Sequence, residues 1–283
     1  MTFGRSLGVR GAKLNEHVVA KKGDETINKM QDGRGLVHGL HALAPRLKEP
    51  RDMSKQQRSG REKEAAFPHA ALPAQVAAVI AAIETDIIRG RILPRTRLIE
   101  DHLMEDYEAK RHVVRAALTE LQRLGVVVKP PHLGARIRRF DAQSLQDLYH
   151  LRSVLHAAAV QAMQLPLPPE RLEPVAQAAH EHALAVESGD LIAIHRTNMA
   201  FHRLFYGLCD NPYLEESIRL HDWLSFPARA YAIADQEALV VARQEHALMV
   251  EALEAGDRNL LCDLALRHMG RARQIYAERY LLR

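Results

Sequence analysis

Residues 90–137 read GRILPRTRLIEDHLMEDYEAKRHVVRAALTELQRLGVVVKPPHLGARI. In the middle of this stretch, Val114, Ala117, Leu118 and Leu121 recur at helical spacing. They predict a helix from Arg111 to Leu124 that Gly125 terminates. Leu98 to Tyr107 reads as a shorter helix before it. After it, VVVK, the turn PPHLG and ARIRR read as two short strands joined by a hairpin, with β-branched residues and Pro/Gly where strand and turn need them. Upstream, Val76, Val79, Ile80, Ile83 and Ile87 lie on one stripe of a further helix, which ends at Gly90. A linker containing Pro94 follows it. Three helices and then a hairpin predict a winged helix-turn-helix over residues 71–140.

Such a fold lays the N-terminal part of its second turn-forming helix in the DNA major groove. Here that part is Lys110, Arg111, His112 and Arg115. Arg111 and Arg115 are four residues apart, so they share a face that lies to one side of the apolar stripe. A guanidinium fork can bond O6 and N7 of guanine together. Lys110 and the helix N-terminus suit phosphate. In the hairpin, Gly134 marks the tip, and Arg136, Arg138 and Arg139 are placed to reach backbone or minor groove. Two arginines on a helical face are by themselves an ordinary solvated surface. The ordered succession of helix, turn, helix and basic hairpin gives them the DNA-reading role, with a double-stranded operator as partner.

Charge is distributed to match. Residues 1–70 hold 14 Lys/Arg against 8 Asp/Glu, residues 71–140 hold 12 against 8, and residues 141–283 hold 13 against 19. A basic front and an acidic back suggest that only the front meets a polyanion. The 283 residues suffice for about two domains. Residues 1–70 show no sustained apolar period and read as a basic, disordered extension, or as sequence upstream of a start at Met53. A basic arm that adds affinity for DNA is the functional alternative. Two cysteines without framework spacing, Cys209 and Cys262, fit a reducing cytosol. No apolar run reaches the ~18 residues of a membrane span, and the first residues lack the apolar core of a signal peptide. The expectation is a cytoplasmic chain with no membrane partner.

From Asp141 the chain reads as helical to its end. Asp141 caps a helix through Met163, and further helices cover 170–187, 190–208, 212–225, 236–255 and 258–281, with breaks at SGD, CDNP, Pro227 and EAGD. The fold class is therefore mainly α: an N-terminal winged helix-turn-helix followed by an all-α antiparallel bundle over residues 141–283. Within it, Asn198 and His202 are four apart on one helix and aim at one point. His246 and His268 flank the EAGD turn at nine and eleven residues. At 1.5 Å rise per residue both stand roughly 13–17 Å from the hairpin end, level with each other. Three imidazoles and an amide oxygen suit a divalent ion such as zinc or nickel. The same spacing is also compatible with ordinary core histidines. His195 shares the face of Asn198 and His202, as a substitute ligand or an outer support.

The stretch quoted above resembles the GntR-type winged helix. Gly90, Pro94, Leu98, Glu100, Leu103, Arg111, Val114, Arg115, Ala117, Leu118, Leu121, Gly125 and Gly134 match that pattern. Arg95 and Glu108 stand where the pattern has Gly, Lys110 replaces a capping Ser, and Val113 replaces a Pro. Leu133 precedes the wing Gly where a basic residue is common. The resemblance makes Arg111 and Arg115 the base-reading residues. The C-terminal half resembles the ligand-binding domain of the FadR subfamily, an antiparallel bundle of six or seven helices. NMAFH, QEH and LRHM put Asn198, His202, His246 and His268 in metal-ligand positions, with Asn where Asp is usual. DLYHLRSVLHAAAV puts Arg152 beside the effector, and His156 replaces a Glu. The resemblance implies a homodimeric, metabolite-responsive repressor that binds a small carboxylate in a metal-containing bundle. The alternatives are a metal-responsive regulator and, third, a metal-dependent hydrolase, for which no general base accompanies the histidines.

Overall fold

The decisive stretch folds as its periodicity dictates. The computed structural model describes residues 72–281, so the extension expected over residues 1–70 lies outside the described residues. Helices α1 (Ala74–Ile88), α2 (Glu100–Asp106) and α3 (Arg111–Arg123) precede β1 (Val127–Val128) and β2 (Arg136–Ile137). The two strands are antiparallel, with Val127 opposite Ile137. Val79, Ile80, Ile83 and Ile87 of α1 and Val114, Ala117 and Leu121 of α3 are all buried, and the two helices pack together. The second helix starts later than the sequence predicts. Arg97 forms a β-bridge to Arg136, and the Leu98 amide donates to the Ala135 carbonyl at 2.9 Å. Residues 97 and 98 therefore serve the wing as a third, edge pairing and are unavailable to α2.

Two departures from the GntR-type pattern have a backbone consequence. Arg95 and Glu108, where that pattern has glycine, both sit at positive φ, 69° and 49°. An L side chain in this region costs roughly 1–2 kcal/mol, against about 0.5–1 kcal/mol of extra chain entropy lost on fixing a glycine. Glu108 is exposed and ends the turn between α2 and α3. Glu108→Gly is therefore expected to stabilise the fold by about 0.5–1 kcal/mol. An unchanged or lower denaturation midpoint in urea would show that the residue is not strained.

The remainder is helical: α4 (Ala142–Ala162), α5 (Pro169–Ser188), α6 (Leu191–Gly207), α7 (Pro212–Arg229), α8 (Gln236–Ala255) and α9 (Arg258–Tyr280). Their starts are written in the sequence. Asp141, Asp190, Asn211, Asp235 and Asp257 each accept a hydrogen bond from an amide in the first turn of the helix that follows. Each such cap is worth about 1 kcal/mol. The break expected at Pro227 does not occur there. Proline removes one amide donor but tolerates helical φ, and α7 runs two residues past it before tightening into a 3₁₀ turn at Ala230–Ala232.

The two halves share one apolar interior. Trp223, Phe226, Ala230, Tyr231, Met269 and Tyr276 of the bundle belong to the same buried cluster as the α1 and α3 stripes. Tyr276 Oη accepts from the Phe140 amide at 3.1 Å, and Tyr231 Oη donates to the Ile92 carbonyl at 3.4 Å. Gly125 is at φ +78°, and a Cβ there would run into the Leu224 side chain of α7.

Candidate DNA-reading face and effector cavity

Lys110, Arg111, His112 and Arg115 are all exposed on the first turns of α3. Lys110 is the N-cap but makes no side-chain cap, and the first turn carries no acidic residue, so the amide groups at this helix start remain open to an anion. Arg111 Nη2 lies 2.6 Å from Asp101 Oδ1, and Arg115 Nε lies 2.8 Å from Glu100 Oε2. Helix α2 thus holds both guanidinium groups at one level by exposed ion pairs, which are individually weak. A guanine edge can replace the carboxylates.

The wing divides its arginines. Gly134 stands at the tip with φ +71°, and Arg136 is half-buried at the bridge to Arg97. Arg138, expected as a DNA contact, is half-buried. Its Nε donates to the Gly125 carbonyl, and its guanidinium lies 5.9 Å from the centre of the Phe140 ring. These contacts brace the chain just beyond β2 against the end of α3. Arg139 donates to the Tyr280 carbonyl at 3.1 Å. Sequence reasoning missed Arg97, whose guanidinium borders Gly134 and lines a cleft shared with Arg115 and Lys129. The available signal was its position immediately before the Leu98 that pairs with the wing.

In the bundle, α6, α8 and α9 bring His202, His246 and His268 together. His202 Nε2 lies 3.0 Å, and His246 Nε2 3.3 Å, from His268 Nε2. Cis ligands of one ion with metal–nitrogen bonds of about 2.0–2.1 Å would lie roughly 3.0–3.4 Å apart, so both spacings to His268 suit a shared ion, and the three ligand atoms lie within 4.8 Å of one another. Burial holds His202 and His246 well below the ordinary histidine range, so both are neutral and carry lone pairs. His268 Nδ1 is 2.9 Å from Glu245 Oε2, and Arg271 Nη2 donates to Glu245 Oε1 at 2.6 Å. Burial alone would raise the Glu245 carboxyl, but its bonds to His268 and Arg271 together outweigh this and lower it. An anionic Glu245 accepts a hydrogen bond from His268 Nδ1–H, which leaves the Nε2 lone pair facing the other two rings. Asn198, one turn before His202, lines the same cavity.

That cavity encloses about 100 Å³. Arg152 forms one wall at 3% exposure. Its Nη2 donates to Asp222 Oδ1 at 2.6 Å, while its Nε and Nη1 have no partner. Sequence reasoning did not anticipate Asp222, which stands seventy positions from Arg152, or Arg229, which also lines the cavity. It also left His182 unmentioned. Thr197 Oγ1 donates to the Ala193 carbonyl, so His182 Nδ1 must donate to that hydroxyl oxygen, 3.2 Å away. His182 Nε2 is then a buried lone pair without a partner, on a ring 4.7 Å from that of His246. Among the described residues, no helix is long and apolar enough to cross a membrane.

Comparison with known proteins bears on the two parts of the fold. Residues 75–137 match the family described as bacterial regulatory proteins, gntR family, and residues 147–271 match the FCD domain. No curated protein sequence matches the chain. Among solved structures, McbR/YncC of E. coli is similar at 21% identity and a TM-score of 0.62, over 74% of this chain and 100% of that one. A protein described as a GntR transcriptional regulator from Rhodococcus sp. RHA1 is similar at 20% identity and a TM-score of 0.60, with the same coverage. At these identities the likeness is one of fold. The two family matches span the winged helix and the helical bundle: the chain belongs to the GntR superfamily of DNA-binding transcriptional regulators and carries the FCD effector-binding domain.

Proposed function

We propose that the protein is a homodimeric repressor whose hold on its operator is set by a small carboxylic acid bound in the bundle cavity. One observation carries this reading: Arg152, which lines the cavity, is a buried cation with two donor positions unused. A buried guanidinium left half-satisfied is costly, and a carboxylate offers the bidentate partner it lacks. Ligand binding would favour one spacing of the two winged helices, and only one spacing fits a pair of operator half-sites. An operator titration tests the reading. Arg115→Ala is expected to cost roughly 1–3 kcal/mol of specific binding. Arg152→Gln should keep operator affinity and lose the response to acids. Full affinity in the first variant, or an undiminished response in the second, would remove the corresponding assignment.

The dimer reading rests on an exposed apolar stripe. Leu151 and Val154 on α4 are 42% and 53% exposed, and Tyr213 and Leu220 on the adjoining α7 are 84% and 40% exposed. A second copy would cover them. Val154→Arg is expected to shift sedimentation towards the monomer, and an unchanged dimer would place the interface elsewhere.

A metal-responsive regulator is the second reading, favoured by the convergence of the three Nε2 atoms. Operator binding with and without chelator, in the absence of any organic acid, separates the two.

A further inference from the structure

The charge lining the cavity says more about its ligand than the presence of Arg152 alone. Three arginines line it, Arg152, Arg229 and Arg271, and among the described residues Asp222 is the one carboxylate that does. Arg271 is matched by Glu245 just behind the wall. Arg152 and Arg229 face Asp222 alone, so this wall carries one uncompensated positive charge.

On the Arg152 wall the unpartnered polar groups are donors. Arg152 offers Nε–H and Nη1–H. His156, four residues on and on the same helical face, adds another. Tyr206 Oη lies 2.6 Å from His156 Nδ1, and both groups are buried. If the hydroxyl donates, only His156 Nε2–H is left unsatisfied. The reverse assignment would strand both a buried hydroxyl proton and a ring lone pair, and each orphan is costly. Nε2–H is thus a third donor, and it too has no partner. At the other end the three converging histidines and Asn198 are all neutral ligands. A divalent ion held there keeps its full charge, which raises the excess in the cavity from one positive charge to three. Buried charge in such excess has to be matched.

We propose that the acid recognised by the ion-loaded protein carries at least two carboxylates, one on the donors of Arg152 and His156 and the other towards the three-histidine end. The Tyr206 ring lies 4.5 Å from the His156 ring and 6.0 Å from the His202 ring, so one small molecule can reach both ends. This inference rests on the effector reading above and goes beyond it by fixing the valence of the ligand.

Calorimetric titration of the full-length protein with succinate and with butyrate, which match in carbon number, tests it. With zinc bound, succinate is expected to bind at least tenfold more tightly than butyrate. In chelator-treated protein the two acids should differ by less than threefold. His156→Glu, which returns one negative charge to the wall, should lower succinate affinity more than butyrate affinity. Equal affinities in the zinc-loaded protein would overturn the dicarboxylate proposal and leave the effector reading standing. Binding of neither acid, or binding that survives Arg152→Gln, would overturn both. The circular dichroism of each variant, compared with the parent, excludes misfolding as the cause of a lost signal.

Discussion

Purified without chelator, the protein is expected to carry one divalent transition-metal ion per chain, and His268→Ala is expected to carry none. His268 is the pivot of the cluster, since both other Nε2 atoms are measured against its own, at 3.0 and 3.3 Å. Without it, two imidazoles and an amide remain, too few strong donors for a closed site. Glu245→Gln should bind more weakly by roughly 10–100-fold, because it loosens the orientation of His268 without removing a ligand. Asn198→Asp should bind more tightly, an anionic oxygen replacing a neutral one. Elemental analysis after dialysis is the measurement. Less than roughly a tenth of an equivalent of any transition metal, with no uptake from added zinc or nickel, would leave the four residues as bundle packing.

The second large effect is acid unfolding of the metal-free chain. Burial pushes His156 down to about 3, His182 to about 4 and His195 to about 3, and it lowers His202 and His246 as well. Each ring takes up a proton more readily in the unfolded chain, near pH 6.5, than in the folded one. Stability is therefore complete above pH 6.5 and falls as the pH drops from there towards the folded values. At pH 5 the loss is about 2 kcal/mol for each ring. Three rings then cost about 6 kcal/mol, comparable with the whole stability of an ordinary domain. In chelator the bundle is expected to unfold cooperatively with a midpoint between pH 6 and 4.5. Trp223, the single tryptophan, is buried and reports the transition by fluorescence. Native fluorescence and helicity at pH 4 would mean that these rings are solvated.

How much of this was legible in the sequence depended on the range of each interaction. The α1 and α3 stripes, the Asp141 cap and the level of His246 against His268 follow from helical pitch and local hydrogen bonding, and the structure repeats them. The bond from Arg138 to the Gly125 carbonyl was not legible because its two ends stand thirteen positions apart. Arg97 was missed because its pairing runs across the wing to Arg136. Asp222 was invisible because nothing local marks it as the partner of a residue on α4, and Arg229 because only the fold brings it to the cavity. His182 was hidden among sixteen histidines, and only the fold shows it beside His246.

The 3₁₀ turn at Ala230–Ala232 has two faces. Ala230 and Tyr231 belong to the interior shared with the winged helix, and Ala232, with Ile233 beyond it, lines the cavity. This molecule is consequently not modular in the way that reader-and-sensor proteins are commonly treated. Exchanging its winged helix for another would uncover Trp223, Phe226, Tyr231 and Tyr276 together, so a working chimera has to import the matching surface of α1 as well as a recognition helix. The same fusion means that a duplicated gene can acquire a new operator by changing exposed α3 residues alone, while a new domain partner requires many buried changes at once.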